Sequence, residues 1–226
     1  METGHGERVQ VERYAALEAL GGVMRHGFVG RVRGVGVGYD KAGVLAELAP
    51  WHGAVVRGMG YEEGAVVTAE QVHGAEVAVV GGGGERHVAG VDGLITAERG
   101  VVLGIHVADC APVWVVDPAS RVLAVLHSGR KSTEGNIVGG AIREMVERFG
   151  CDPGRMVVQI GPAIRPPWFE MDIPARIRED AVAAGVDAAA VHDCGICTHA
   201  SDPERYYSYR REKGCTGRMV ALGVLC

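Results

Sequence analysis

Apolar residues gather in three short runs in the middle of the chain, at 101–107, 111–116 and 122–126, rich in Val, Ile and Leu and free of charge. Runs of that length, without polar alternation, predict strands buried on both faces. Strand composition recurs at 65–68, 76–80, 92–96 and 156–160, and two further stretches, 206–211 and 216–222, read as the final strands. The period changes after residue 136. There Ile137, Ala141 and Met145, with Val138, Ile142, Val146 and Phe149 beside them, repeat at helical spacing and stop at Gly150. Shorter helices are predicted around 14–20, halted by Gly21-Gly22, and over 174–184, with Pro174 at the start. A helix over 40–57 is predicted to be interrupted by Pro50. The glycine-punctuated segment 26–34 reads as a strand or loop carrying Arg31 and Arg33, and Gly81–Gly84 as a hairpin tip, since no helix follows it as a dinucleotide-binding glycine motif requires. Strands outnumber helices between 96 and 222, and no repeat of fixed period is visible. The pattern predicts an α/β fold of the α+β layered kind, one domain over 1–226 with a mixed sheet flanked by helices.

Composition narrows the class of function. A chain of 226 residues with 47% hydrophobic and 23% charged residues can bury a substantial core. The net charge of -5 argues against nucleic acid and anionic membranes as partners, because both call for a basic footprint. No apolar run approaches the ~20 residues of a membrane span. The first twelve residues are polar and acidic, unlike a secretory leader. A soluble, cytoplasmic protein acting on a small molecule is expected, as a monomer or small homo-oligomer. Six cysteines are too sparse for a disulfide scaffold in a chain this long, so free thiols or metal ligands are expected.

Three residues at the edges of apolar segments then stand out. Cys110 closes the first run, His127 closes the third, and His73 sits at the bend Gln71-Val72-His73-Gly74. Each alone suits the core or the surface. Together they make the inventory of an open zinc site, with three protein ligands and a fourth position for water or substrate. A rival lies in His192-Asp193-Cys194-Gly195-Ile196-Cys197-Thr198-His199, where a Cys-x-x-Cys bracketed by histidines suits a second metal or a redox pair. The segment 128–136, small, hydroxyl-rich and basic before a helix, suits either an anion-binding turn or a plain helix cap, and its order is not that of a P-loop.

Several motifs occur in a fixed order: Gln71-Val72-His73-Gly74, Asp92-Gly93-Leu94-Ile95-Thr96, Ala108-Asp109-Cys110-Ala111-Pro112-Val113, and His127 followed by Ser128-Gly129. Further on come Gly161-Pro162-Ala163-Ile164, Ser208-Tyr209-Arg210-Arg211 and Thr216-Gly217-Arg218. In these motifs, over nearly its whole length from about residue 26 to 222, the chain resembles the YfiH-like laccase-domain family. That family is also called multicopper polyphenol oxidase or purine nucleoside phosphorylase. The resemblance implies a single-domain α/β fold with zinc held by His73, Cys110 and His127. It implies phosphorolysis of purine nucleosides, adenosine and phosphate giving adenine and ribose 1-phosphate, with adenosine deamination and methylthioadenosine phosphorolysis beside it. Zinc lowers the pKa of bound water from 15.7 to ~7, as deamination requires.

By the same resemblance Arg31, after His26-Gly27-Phe28, is expected to contact phosphate, with Arg130, Arg210 and Arg218 as further substrate-binding candidates. Asp109 is expected to orient a ligand histidine or to act as general base. Copper-dependent oxidation of phenols, the older label, fits poorly, because the weak axial Met of a blue-copper centre cannot be assembled from the motifs. The chain also departs from the family. After the second histidine, relatives continue Ala-Gly-Trp-Arg-Gly, whereas Ser128-Gly129-Arg130-Lys131-Ser132 stands here. The family's Gly-Pro-Ala-Ile-Gly-Pro-Cys-Cys-Tyr becomes Gly161-Pro162-Ala163-Ile164-Arg165-Pro166-Pro167-Trp168-Phe169, in which Trp168 and Phe169 are expected to restore a stacking surface for the base. A non-catalytic binding protein with an altered pocket is the alternative.

Overall fold

The computed structural model describes residues 9–35 and 37–226; residues 1–8, most of the polar amino-terminal stretch, and Gly36 lie outside the described residues. The strands in the first half are β1 (Val11–Glu12), β2 (Met24–Val29), β3 (Val66–Ala69), β4 (Val77–Val79), β5 (His87–Val88) and β6 (Gly93–Thr96). Those in the second half are β7 (Val102–Val107), β8 (Ala111–Asp117), β9 (Val122–Ser128), β10 (Val157–Ile160), β11 (Val191–Asp193) and β12 (Met219–Leu225). The α-helices are α1 (Ala15–Glu18), α2 (Lys41–Gly58), α3 (Arg130–Glu134), α4 (Ile137–Phe149) and α5 (Ile173–Ala183).

The strands form two six-stranded mixed sheets, ordered β1-β2-β12-β7-β3-β5 and β11-β10-β8-β9-β6-β4. The mixed α/β architecture expected from the sequence is present, with its strands divided between two layers. The three central runs are β7, β8 and β9, and their alternate positions supply three cores. Trp114, Val116, Leu123 and Val125 of the second sheet meet Leu103, Ile105, Val107 and Ala221 of the first. Val113, Val115, Ala124 and Leu126 turn the other way, onto Ala141, Met145 and Ile177 of α4 and α5. Val102, Val220 and Val224 face outward beneath Val56 of α2. The result is four layers, helix, sheet, sheet and helices. Each fully buried Val, Leu or Ile contributes about 1.5–3 kcal/mol relative to exposure. The sheets approach closely at Gly223, where a β-carbon would lie 3.2 Å from Trp114 and 3.1 Å from Leu123.

Three details differ from expectation, and a fourth falls within it. Helix α2 runs through Pro50 without a break, its face of Val44, Leu48, His52 and Val56 buried; tertiary packing offsets the hydrogen bond that proline cannot donate. Gly81–Gly84 is no hairpin tip, because β4 pairs with β6 in one sheet and β5 with β3 in the other. Residues 206–211 form no strand: 206–208 are irregular and 209–211 make a turn, with the Arg210 side chain 3.9 Å from Glu170. Segment 128–136 folds into the short helix α3, with Thr133 donating to the Gly129 carbonyl at 2.6 Å and Asn136 capping α4 by accepting from Gly139 N. The helix cap, one of the two expected readings, is thus present. Among the described residues no helix is long and apolar enough to cross a membrane.

Candidate metal centre

His73, Cys110 and His127 converge: one ligand atom from each lies within 4.8 Å of the others. Two of the three stand where the chain crosses between sheets, His73 between β3 and β4 and Cys110 between β7 and β8. His127 lies opposite the start of β8, the neighbour of β9, with Ala111 opposite Ser128 and Pro112 opposite His127. The bends are built from left-handed backbone at Gln71, His73 and Asp109, with φ of 64°, 62° and 83°. Such conformations cost free energy in non-glycine residues, so their surroundings must hold them. Gln71 does so by clamping His106 in β7, donating to its carbonyl at 2.6 Å and accepting from its N–H at 2.9 Å.

Asp92 is the hub. Fully buried, it accepts from His73 N at 3.0 Å, from Gly74 N at 2.6 Å and from His127 Nδ1 at 2.7 Å. Burial alone would raise its pKa, but the bonds from His127, Gly74 and His73 bring it below the ordinary value. Its grip on Nδ1 fixes the His127 ring and leaves Nε2 for a ligand. The orienting role expected of Asp109 thus belongs to Asp92, whose Asp-Gly pair reads in sequence as an ordinary turn. Asp109 accepts from Thr198 Oγ1 at 2.6 Å and from Arg210 N at 2.7 Å, so its carboxylate ties the C-terminal loop to the site.

The donor set suits a soft or borderline cation. Burial pushes the Cys110 thiol up, but the imidazoles of His127 and His73 more than offset this and bring it to about 6. Burial likewise lowers His127, yet the Cys110 and Asp92 charges raise it to about 9. Gly129 is required here: a β-carbon on it would lie 2.8 Å from Cys110 Sγ and 3.4 Å from His73 Cδ2. Among the described residues no second group of three such ligands converges. In the rival segment Cys194 packs against the core between the sheets and His199 stacks on Trp168 at 4.3 Å, so these two face different neighbours. The six cysteines are free.

The triad opens into a cavity of about 400 Å³ that Asp109, Arg130, Arg210 and Arg218 also line. Two expected residues are elsewhere. Arg31 pairs with Glu212 at 2.6 Å, donates to Pro203 O at 2.8 Å and packs over Tyr207 at 4.5 Å, so it braces the C-terminal loop, away from the residues that line the cavity. Trp168 is half exposed on the His199 ring, whereas Phe169, 5.3 Å from the Arg210 guanidinium, is at the cavity wall. Lys41 and His106, which carried no motif, also line the cavity, as does Tyr209 of the Ser208–Arg211 motif.

A family model described as multi-copper polyphenol oxidoreductase laccase matches residues 15–174 and 169–226. A purine nucleoside phosphorylase of Streptomyces coelicolor is 34% identical over 96% of this chain and 97% of its own length. An adenosine deaminase from an unknown prokaryotic organism is 31% identical over 56% of this chain and 59% of its own. The crystal structure of YlmD from Geobacillus stearothermophilus superposes with a TM-score of 0.80 at 26% identity, covering 89% of this chain and 92% of that one.

Proposed function

The chain belongs to the multi-copper polyphenol oxidoreductase laccase family, and from that premise we propose that it is a zinc-dependent purine nucleoside phosphorylase with adenosine deaminase and methylthioadenosine phosphorylase side activities. The observation that carries the reading is the convergence of His73, Cys110 and His127 at the floor of a cavity lined by cations. Two imidazoles and a readily ionised thiol fit zinc. No methionine lines the cavity, which disfavours a blue-copper arrangement and the oxidation of phenols. When bound, the metal supplies Lewis acidity toward an oxygen of water or substrate.

The chain's own residues do the rest. Asp92 holds the His127 ring in one orientation and His73 at its bend. Phe169 offers a stacking face for the purine, with Arg130 and Arg210 at the rim beside it. In phosphorolysis a phosphate oxygen forms a bond to C1′ as the bond from C1′ to N9 breaks, and adenine leaves with a proton. Cations near the phosphate position it and balance its charge. Asp109 holds Arg210 and the C-terminal loop in register with this wall. Free thiols suit a reducing compartment such as the cytoplasm.

The test is incubation with adenosine, with and without phosphate, and chromatography of the products. Adenine formed only with phosphate, together with inosine in either incubation, is expected. Unchanged adenosine in both incubations, with zinc at one per chain, would overturn the reading in favour of a binding protein whose pocket has been altered after His127.

A further inference from the structure

We propose that Lys41 and Arg218 form the anion subsite of this cavity and that the subsite takes inorganic phosphate, an inference that rests on the phosphorolytic reading above. The four cations along the cavity fall into two kinds. Arg130 pairs with Glu134 at 3.0 Å and with Glu170 at 2.7 Å, and Arg210 meets the same Glu170 at 3.9 Å. The rim guanidinium groups therefore already have counter-charges inside the protein.

Lys41 and Arg218 form no ion pair among the described residues. Lys41, the first residue of α2, donates to the Glu70 carbonyl at 3.0 Å and keeps its other N–H groups. Arg218, next to β12, donates from Nη1 to the Gly217 carbonyl at 2.8 Å and lies 5.9 Å from the Tyr209 ring, with the rest of its five-donor fork unspent among the described residues. The two come from distant parts of the sequence to one cavity, beside Cys110. They are near enough that, after burial, the Arg218 charge further lowers the Lys41 pKa. Asp92 and Glu70 lie near Lys41, and Cys110 and Asp109 near Arg218, without forming an ion pair with them among the described residues; the two adjacent cations still repel each other, and a phosphate dianion with three or four acceptor oxygens relieves that repulsion with charge-assisted hydrogen bonds. Arg31, Arg130 and Arg210 lack this quality, since each is already matched by a glutamate.

The subsite is tested by calorimetric titration of the purified protein with inorganic phosphate, alongside the KM for phosphate in adenosine phosphorolysis. Lys41→Met and Arg218→Met are each expected to weaken phosphate binding about ten- to hundredfold, the range for deleting a hydrogen bond to a charged group. The KM for adenosine should change less than about threefold. Arg218→Lys, which keeps the charge and loses the fork, should recover part of the affinity, and Arg130→Met should cost less than either. Unchanged phosphate affinity in both Lys41→Met and Arg218→Met, or a larger loss from Arg130→Met, overturns the proposal. Adenosine 5′-phosphate binding more tightly than inorganic phosphate overturns the assignment to the free ion. If phosphate binds through Lys41 and Arg218 while adenosine survives, the subsite stands and the phosphorolytic reading falls; turnover that ignores both substitutions has the reverse meaning.

Discussion

Two regions of this molecule hold cysteine and histidine close together, and they behave as chemical opposites. At the crossings between the sheets, Cys110 faces two imidazoles and its thiol is brought to about 6. In the segment 192–199, Cys194 is half-buried and near Asp193, with the Ile196 backbone N–H and Arg165 only partly offsetting the effect, and its thiol is pushed up to about 11. Residue types and local density are alike. What differs is whether the backbone bends the side chains toward one point or spreads them over separate neighbours. A Cys-x-x-Cys motif advertises itself in sequence, whereas the convergent triad is scattered over 55 positions and only the fold assembles it.

The sharpest way to break the contrast is to remove one thiol from each region. Cys110→Ser is expected to abolish stoichiometric zinc and to lower kcat/KM for adenosine about a thousandfold or more, the scale of a lost metal-assisted step. Cys194→Ala should keep both within about threefold. Metal analysis and steady-state kinetics on the two variants decide it, and comparable losses would erase the distinction drawn here.

Alkylation of the chelated protein with iodoacetamide reads the same contrast chemically. At pH 7 Cys110 is mostly thiolate and Cys194 almost wholly thiol. Allowing for the weaker nucleophilicity of a low-pKa thiolate, Cys110 should react about a hundredfold faster. The sign with pH follows: the Cys110 rate climbs as pH rises through about 6 and then levels, while the Cys194 rate is still climbing toward 11. Peptide mapping over a pH series would show either two profiles or one.

Asp92→Asn probes what keeps the triad convergent. Loss of its charge beside His127 should weaken zinc about ten- to hundredfold, as for other partners behind metal-bound histidines, measured by competition with a chromogenic chelator. The smallest effect concerns the aromatics. Phe169→Ala should raise the KM for adenosine about fivefold through lost stacking, and Trp168→Ala less than about twofold, because Trp168 belongs to the His199 side of the comparison.

Much of this was legible beforehand for a physical reason. The runs that became β7, β8 and β9 are apolar on both faces because each is covered on both sides, and that leaves a direct trace in composition. His73, Cys110 and His127 could be picked out because metal-capable residues rarely end such runs. Asp92 could not, since a buried hub and an exposed turn share the pair Asp-Gly. Lys41 was equally hidden: it opens an ordinary helix, and only the packing of α2 over the first sheet carries it to the cavity. Arg31 misled in the opposite sense, for a motif position shows that a residue is needed without showing that Glu212, and not a ligand, needs it.

His73 and Cys110 lie where the chain steps from one layer of the sandwich to the other, while His127 is anchored inside the second layer. An ion shared among them would act as a rivet through the seam. Its removal should then be felt in the rate at which the layers part, as faster hydrogen exchange along β3, β7 and β8, even in a protein whose equilibrium secondary structure is unchanged.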